Sequence, residues 1–151
     1  MAVALVLSLL CVVAIGQAAM PYVVIRPNVQ MPVVGVGSCC GTYNVSAWIA
    51  LGNRHIDTSC DYGSQPTIGE AIRASGVPRE QFFVTSKINA ENYGPDVSAV
   101  VQDQVLGPLG LTYVDLLLMH HAGRPQTGFS RYATEIILCC NLCSGCFFFL
   151  R

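Results

Sequence analysis

The run Gly52-Asn53-Arg54-His55-Ile56-Asp57-Thr58-Ser59-Cys60-Asp61-Tyr62-Gly63 holds a helix stop, a strand and a polar loop in succession. Gly52 suits the position just after a helix, where a left-handed backbone is common. Arg54–Thr58 reads as a strand, so Asp57 falls at its C-terminal end and Tyr62 just beyond it. In parallel α/β folds, ligands and chemistry gather at that end of the strands. The layout recurs twice downstream, with Lys87 closing one apolar strand and His120 closing another. Asp57, Tyr62, Lys87 and His120 are therefore candidates for one acid–base set.

Composition narrows the class. Of 151 residues, 52% are hydrophobic and only 11% charged, against roughly 25% charged in ordinary globular domains. Met1–Ala19 and Ile136–Leu150 carry much of that skew, and the part between them reads as one soluble domain. The formal net charge is -1 and the basic residues are scattered, which argues against a nucleic-acid surface. Ala2–Ile15 is an apolar run broken only by Ser8 and followed by Gly16-Gln17-Ala18-Ala19, the pattern of a cleaved signal peptide, although it lacks a positive n-region. The expected destination is the secretory pathway or an organelle. An uncleaved membrane anchor, or a cytoplasmic chain with a misassigned start, is the alternative.

Val23–Val29 and Met31–Val36 read as a short hairpin leading into a buried strand, Val33–Gly37, whose glycines allow close backbone approach. Asn44–Leu51 reads as a short helix. Thr67–Ala74 has Ile68, Ala71 and Ile72 at helical spacing, and Pro78-Arg79-Glu80 reads as a turn. Phe82–Ser86 is an apolar strand that ends at Lys87. Val97, Val100, Val101 and Val105 mark one face of a helix from about Asp96 to Leu109. Tyr113–Met119 is nearly all apolar, as a strand covered on both faces should be. Strand–helix alternation of this kind predicts a parallel sheet with right-handed crossovers.

At these residues the chain resembles the aldo-keto reductase family. Gly52–Gly63 is similar to the family's Gly-x-Arg-x-Ile-Asp-Thr-Ala-x-x-Tyr-Gly signature. Ile68-Gly69-Glu70-Ala71-Ile72, Ser75-Gly76-Val77-Pro78-Arg79-Glu80, Phe83-Val84-Thr85-Ser86-Lys87 and the run from Leu109 to His120 follow in the family's order. The resemblance covers about Val23 to Gly123. It implies an α/β fold, a partial (β/α)8 TIM barrel of about the first four βα units preceded by a β-hairpin. A full barrel takes about 250 residues, so the expectation is an N-terminal half-barrel over 20–124, between a signal-like 1–19 and an unrelated tail, 125–151.

The resemblance also implies reduction of an aldehyde or ketone to an alcohol with NADP as cofactor and a small carbonyl compound as substrate. Asp57, Tyr62, Lys87 and His120 would form the catalytic tetrad, and Gly37, Ser38 and Asp57 would lie against the cofactor. The chemistry agrees. A carbonyl that accepts hydride needs a proton donor, and a free phenol, with a pKa of about 10, is a poor acid at neutral pH. An ammonium nearby favours the phenolate; Asp57 would keep Lys87 charged, and His120 would hydrogen-bond the substrate oxygen. Taken singly these residues say little. A lysine at a strand end is usually solvated, Tyr62 and Asp57 suit packing and turn positions, and His120 beside His121 could be a buried histidine or a metal ligand.

The chain also departs from the family. Cys39-Cys40 follows Gly35-Val36-Gly37-Ser38 in place of an aromatic residue, and Ile88-Asn89 replaces an apolar–aromatic pair. The family's Ser-Asn pair, stacking aromatic and Lys-Ser…Arg loop for the adenosine phosphate are not found after the fourth strand. Cys139, Cys140, Cys143 and Cys146 in the tail offer two overlapping Cys-x2-Cys spacings, but the second pair that zinc requires at a distance is missing. No metal site is therefore expected. An inactive fragment or binding remnant, and a small Cys-rich metal or redox protein, are the alternative functions. Open edges of a half-barrel would invite self-association.

Overall fold

The computed structural model describes residues 20–41, 43–89 and 96–120, together with the backbone of 147–148. The expected signal segment and the four tail cysteines lie outside them. The described chain opens with an antiparallel hairpin, β1 (Tyr22–Arg26) and β2 (Val29–Pro32). Then follow β3 (Val36–Gly37), α1 (Val45–Ala50), β4 (His55–Asp57), α2 (Gln65–Ala74), a 3-10 turn at Arg79–Gln81 and β5 (Phe83–Ile88). Next come α3 (Val97–Val101), a π-helical stretch (Gln102–Leu106), α4 (Gly107–Leu109), β6 (Leu116–Met119) and β7 (Phe147–Phe148). The expected partial barrel is present: β3, β4, β5 and β6 are parallel neighbours in that order.

Alternation along the strands divides the molecule into two apolar regions. Ile56, Val84, Ile88 and Leu117 face the helices and join Val45, Ile49, Ile68, Ile72, Val101, Val105 and Leu109 in the main core. Each fully buried aliphatic side chain there contributes roughly 1.5–3 kcal/mol. On the opposite face, Phe83 and Leu116 pack on Val29 of the hairpin, with Ile25, Met31 and Leu118 beside them. The hairpin thus closes one end of that face, and the strand C-termini lie at the other.

Local chemistry explains the joints. Asn44 caps α1 by accepting from the Ala47 amide at 2.8 Å, and Gly52 follows the helix at φ 88°, where a Cβ would be strained. Gln65 donates to the Gln104 carbonyl at 2.8 Å, inside the π stretch. Asp115, buried, accepts from Arg79 Nη2 at 2.7 Å and from the Val84 amide at 2.9 Å. Arg79 also lies over the Tyr113 ring at 4.0 Å. The starts of β5 and β6 are pinned together by this group.

Some expectations need correction. The strand foreseen at Val33–Gly37 is only Val36–Gly37, because the Val33 amide instead prolongs the hairpin by donating to the Pro21 carbonyl. Val33 and Val34 are left about half exposed. Gly35 does serve close packing, since a Cβ there would lie 2.9 Å from the His55 ring, but one on Gly37 would meet nothing within 4 Å. Lys87 lies inside β5, not after it, and the strand from Tyr113 is regular only over Leu116–Met119. The open edge expected beyond β6 is partly covered by β7, which pairs with it antiparallel.

Two predictions follow from the packing. A Cβ on Gly69 of α2 would lie 1.9 Å from the Leu109 carbonyl oxygen, so the helix-propensity gain of about 1 kcal/mol for Gly→Ala is outweighed by overpacking. Gly69→Ala should lower the urea-unfolding free energy by about 1–3 kcal/mol, while Gly37→Ala should leave it within about 0.5 kcal/mol. His55 donates from Nδ1 to the Pro32 carbonyl at 2.8 Å, and Nε2 lies 3.1 Å from Thr85 Oγ1. Burial lowers its pKa below 6.5, outweighing the opposing effects of the Pro32 carbonyl, Asp57 and Asp115. The unfolded chain then binds the proton more readily, so stability is full above 6.5 and is lost as the pH falls toward the folded value. Unfolding titrations should show this loss in the wild type, and His55→Gln should remove that component.

Candidate active site

The ladder register puts the polar side chains together. Asp57 pairs with Thr85 on β5, and Lys87 pairs with Leu118 on β6. Two residues apart in register, Asp57 and Lys87 point to the same face, away from the helices. Lys87 Nζ donates to Asp57 Oδ1 at 2.5 Å, to the Thr58 carbonyl at 2.9 Å and to Tyr62 OH at 3.4 Å. It also lies 4.9 Å from the centre of the Tyr62 ring. The lysine side chain is 13% exposed and the aspartate 34%, so the ammonium is the more deeply withdrawn partner.

The loop after β4 is folded to bring Tyr62 over this pair. The Cys60 amide donates to the Lys87 carbonyl at 3.1 Å, and the Tyr62 amide to the Ser59 carbonyl at 3.3 Å. His120 enters from just past β6, where its amide donates to the Ile88 carbonyl at 2.9 Å. Its Nε2 is 3.2 Å from Tyr62 OH, and the two rings meet edge to face at 5.4 Å. The phenol hydroxyl therefore lies between an ammonium and an imidazole, at the C-terminal ends of β4, β5 and β6. All four residues of the expected acid–base set are in one cluster.

The residues expected at a cofactor are placed differently from one another. Gly37 is exposed at the end of β3, directly opposite Asp57 in the ladder, and leaves open space beside it. Ser38 is buried, with its hydroxyl 2.8 Å from that of Ser64, which in turn is 3.0 Å from Thr58 Oγ1. Its amide donates to the Asp57 carbonyl. Cys39 and Cys40 are exposed just beyond and are bonded to each other, whereas Cys60 is a free, half-buried thiol.

Three residues near His120 escaped the sequence reading: Ser59, Asp61 and Asn89. Ser59 Oγ, Asn89 Oδ1 and Asp61 Oδ1 stand 3.2, 3.1 and 3.3 Å from His120 Nδ1. The Asp61 carboxyl is held below its ordinary range. Burial pushes it up, but this is overcome by hydrogen bonds from Ser59 and from its own amide, by His120 and by a hydrogen bond from Asn89. The spacing Ser59-x-Asp61-Tyr62 in a loop just after a strand was the available signal, since short polar residues there meet the next strands' ends.

Residues 44–141 match the family model described as the Aldo/keto reductase family. An aldo-keto reductase of Mycolicibacterium smegmatis is 40% identical over 114 residues, which cover 72% of this chain and 40% of the relative. The glycerol 2-dehydrogenase (NADP(+)) of Saccharomyces cerevisiae is 40% identical over 106 residues, 66% of this chain and 33% of that protein. Among solved structures, a Bombyx mori aldo-keto reductase in complex with NADP superposes at a TM-score of 0.66 and 27% identity. The match covers 82% of this chain and 47% of that one. The Brucella melitensis aldo/keto reductase gives 0.61 at 33% identity, covering 67% and 40%. The chain spans about 40% of the length of the mycobacterial relatives it matches.

The ion pair should respond asymmetrically to substitution. Asp57→Asn leaves a withdrawn ammonium without its counter-charge, whereas Lys87→Met leaves a carboxylate that water already reaches. After allowance for the partial exposure of Asp57, Asp57→Asn should cost about 1–2 kcal/mol. Lys87→Met should cost less in the same denaturation experiment.

Proposed function

The chain belongs to the aldo/keto reductase family, and from that membership we propose that it serves NADP-dependent interconversion of a small carbonyl compound and its alcohol. The observation that carries the reading is the placement of Tyr62 OH, with Lys87 Nζ at 3.4 Å and His120 Nε2 at 3.2 Å. Tyr62 is proposed as the proton donor, Lys87 as the charge that stabilises the phenolate left behind, and Asp57 as the group that holds Lys87. His120 and Tyr62 would hold the substrate oxygen between them, where negative charge develops. In the reverse direction the same phenolate takes the proton from the alcohol.

The residues at the strand ends fit the reactive end of the cofactor. Gly37 provides an open ledge beside Asp57, so a flat ring can lie there without displacing a side chain. Ser38 would contribute by fixing the backbone of that ledge through Asp57 and Ser64. When bound, NADPH supplies the hydride. A relative named for NADP(+) and a similar structure in complex with NADP support this choice of cofactor.

Two further proposals accompany this reading. Self-association through the free edge of β3 is one, because β3 ends the sheet among the described residues. Entry into the secretory pathway or an organelle is the other, resting on the apolar front of the sequence. A second functional reading is a binding remnant without turnover.

Fluorescence titration of the full chain with NADPH, followed by assay with short aldehydes, tests the proposal. Saturable binding and turnover are expected. Tyr62→Phe should lower turnover by about 10²-fold or more while NADPH binding stays unchanged. Turnover that survives Tyr62→Phe would remove Tyr62 from the role of proton donor, and binding without turnover would favour the remnant.

A further inference from the structure

The geometry points to Ser64 as a positioning residue: its hydroxyl clamps the base of the loop that carries Tyr62 and ties that loop to the Gly37–Ser38 ledge. Ser64 stands at the N-cap of α2, where a serine ordinarily accepts from the second or third amide of the helix. Its side chain makes no such bond here. Pro66, at the second helical position, has no N–H to offer. The hydroxyl is directed elsewhere: Ser64 Oγ lies 3.0 Å from Thr58 Oγ1 and 2.8 Å from Ser38 Oγ. A hydroxyl can donate one bond and accept another, so it can serve both neighbours at once. Ser38, Thr58 and Ser64 are all fully buried, and solvent does not replace any of these partners.

The two contacts reach different parts of the candidate site. Thr58 opens and Ser64 ends the loop between β4 and α2, so the bond between them closes that loop at its base. Thr58 is also the residue whose carbonyl accepts from Lys87 Nζ at 2.9 Å. Its amide donates to the Thr85 carbonyl at 2.9 Å, which fixes the base of the loop against β5. Ser38 follows Gly37, and its amide donates to the Asp57 carbonyl at 3.1 Å. Loop and ledge therefore meet at one oxygen, although 26 residues separate Ser38 from Ser64. Without that oxygen, the Ser38 and Thr58 hydroxyls would each lose the partner they have among the described residues. A buried hydroxyl left unpaired destabilises more than a bond lost at the surface. Removing either outer hydroxyl leaves Ser64 bonded to the other, so each arm can be cut without orphaning a buried group. In the proposed reaction the clamp sets the proton donor against the bound ring. Only that consequence rests on the reductase reading; the clamp rests on the hydrogen bonds.

Hydrogen exchange of the full chain, followed amide by amide in ¹H–¹⁵N spectra, reads both arms. The Cys60 and Tyr62 amides, bonded to the Lys87 and Ser59 carbonyls, report the loop, and the Ser38 amide, bonded to the Asp57 carbonyl, reports the ledge. Ser64→Ala should speed exchange at all three by about 10-fold or more. Thr58→Val should speed Cys60 and Tyr62 by about 5-fold and leave Ser38 unchanged. Ser38→Ala should do the reverse, speeding the amide at position 38 and leaving the loop unchanged. A substitution that merely weakened the fold would speed the three amides together, so the crossed pattern separates positioning from general support. Uniform acceleration in both single-arm variants would overturn the inference, and so would no acceleration in either. These two variants decide the matter even where Ser64→Ala does not fold. In the wild type, exchange of the three amides at unprotected rates would overturn it with no variant needed. Neither NADPH nor a carbonyl compound enters the measurement, so the clamp and the proposed activity fail separately.

Discussion

An ammonium withdrawn from water must be met by oxygen on every side that solvent has left, and Lys87 is the group that imposes this demand. Its three partners come from different places: the end of β4 for Asp57, the backbone just after it for Thr58, and the following loop for Tyr62. Satisfying one cation thus dictates where β4 must end and how the loop must turn. That loop is then bonded back to β5 through the Cys60 amide and the Lys87 carbonyl. The same residue that supplies the charge therefore supplies the backbone that anchors its partners. Isolated, such a buried charge would cost several kcal/mol. Ringed by a carboxylate and two further oxygens, it holds the site in one arrangement.

Strand periodicity keeps this polar centre apart from the core that stabilises the fold. Ile56 and Val84 face the helices and are fully buried, while His55, Asp57, Thr85 and Lys87 take the other face of the same strands. One face is a dry aliphatic layer. The other grades from the hairpin contacts of Phe83 and Leu116, through the His55–Thr85 contact, to the charged cluster at the strand ends. Substitutions on the two faces consequently meet different surroundings, aliphatic packing on one and a gradient from hairpin contacts to charged groups on the other.

Much of this was legible in the sequence because it rests on local patterns. The strand read at Arg54–Thr58 after the Gly52 stop, and the apolar strand Phe82–Ser86 ending at Lys87, placed Asp57 and Lys87 at successive strand ends. The order of polar residues at successive ends then suggested one cluster. What escaped depends on partners distant in sequence. Val33–Gly37 looked like one strand because its residues are apolar, but whether Val33 pairs with the hairpin or with β4 is decided by Pro21, which no local pattern reveals. Asp115 reads as an ordinary polar residue before an apolar run, and only its contacts with Arg79 and the Val84 amide explain its burial. Asp61, Ser59 and Asn89 matter through His120, which is 61 residues from Ser59, so the Ser59-x-Asp61-Tyr62 spacing marks a polar loop after a strand but not the partner it meets.

The sheet distributes stability unevenly across the candidate site. Asp57, Lys87 and the start of the His120 turn belong to β4, β5 and β6, and each of those strands has neighbours on both sides. Local opening is least favourable in such central strands and easiest at rims. The acid–base cluster therefore rests on the stiffest part of the described fold. Gly37 and Ser38, by contrast, lie at the end of a two-residue strand on the rim. They are held by the Ser38 amide, the Ser64 hydroxyl and the short ladder to β4. The Lys87 cluster and the Gly37 ledge thus draw on different reserves of rigidity. Whatever stiffens the β3 edge, a bound ring or a second copy of the chain, would act on the ledge first and on the Lys87 cluster only through Asp57 and the Ser64 hydroxyl.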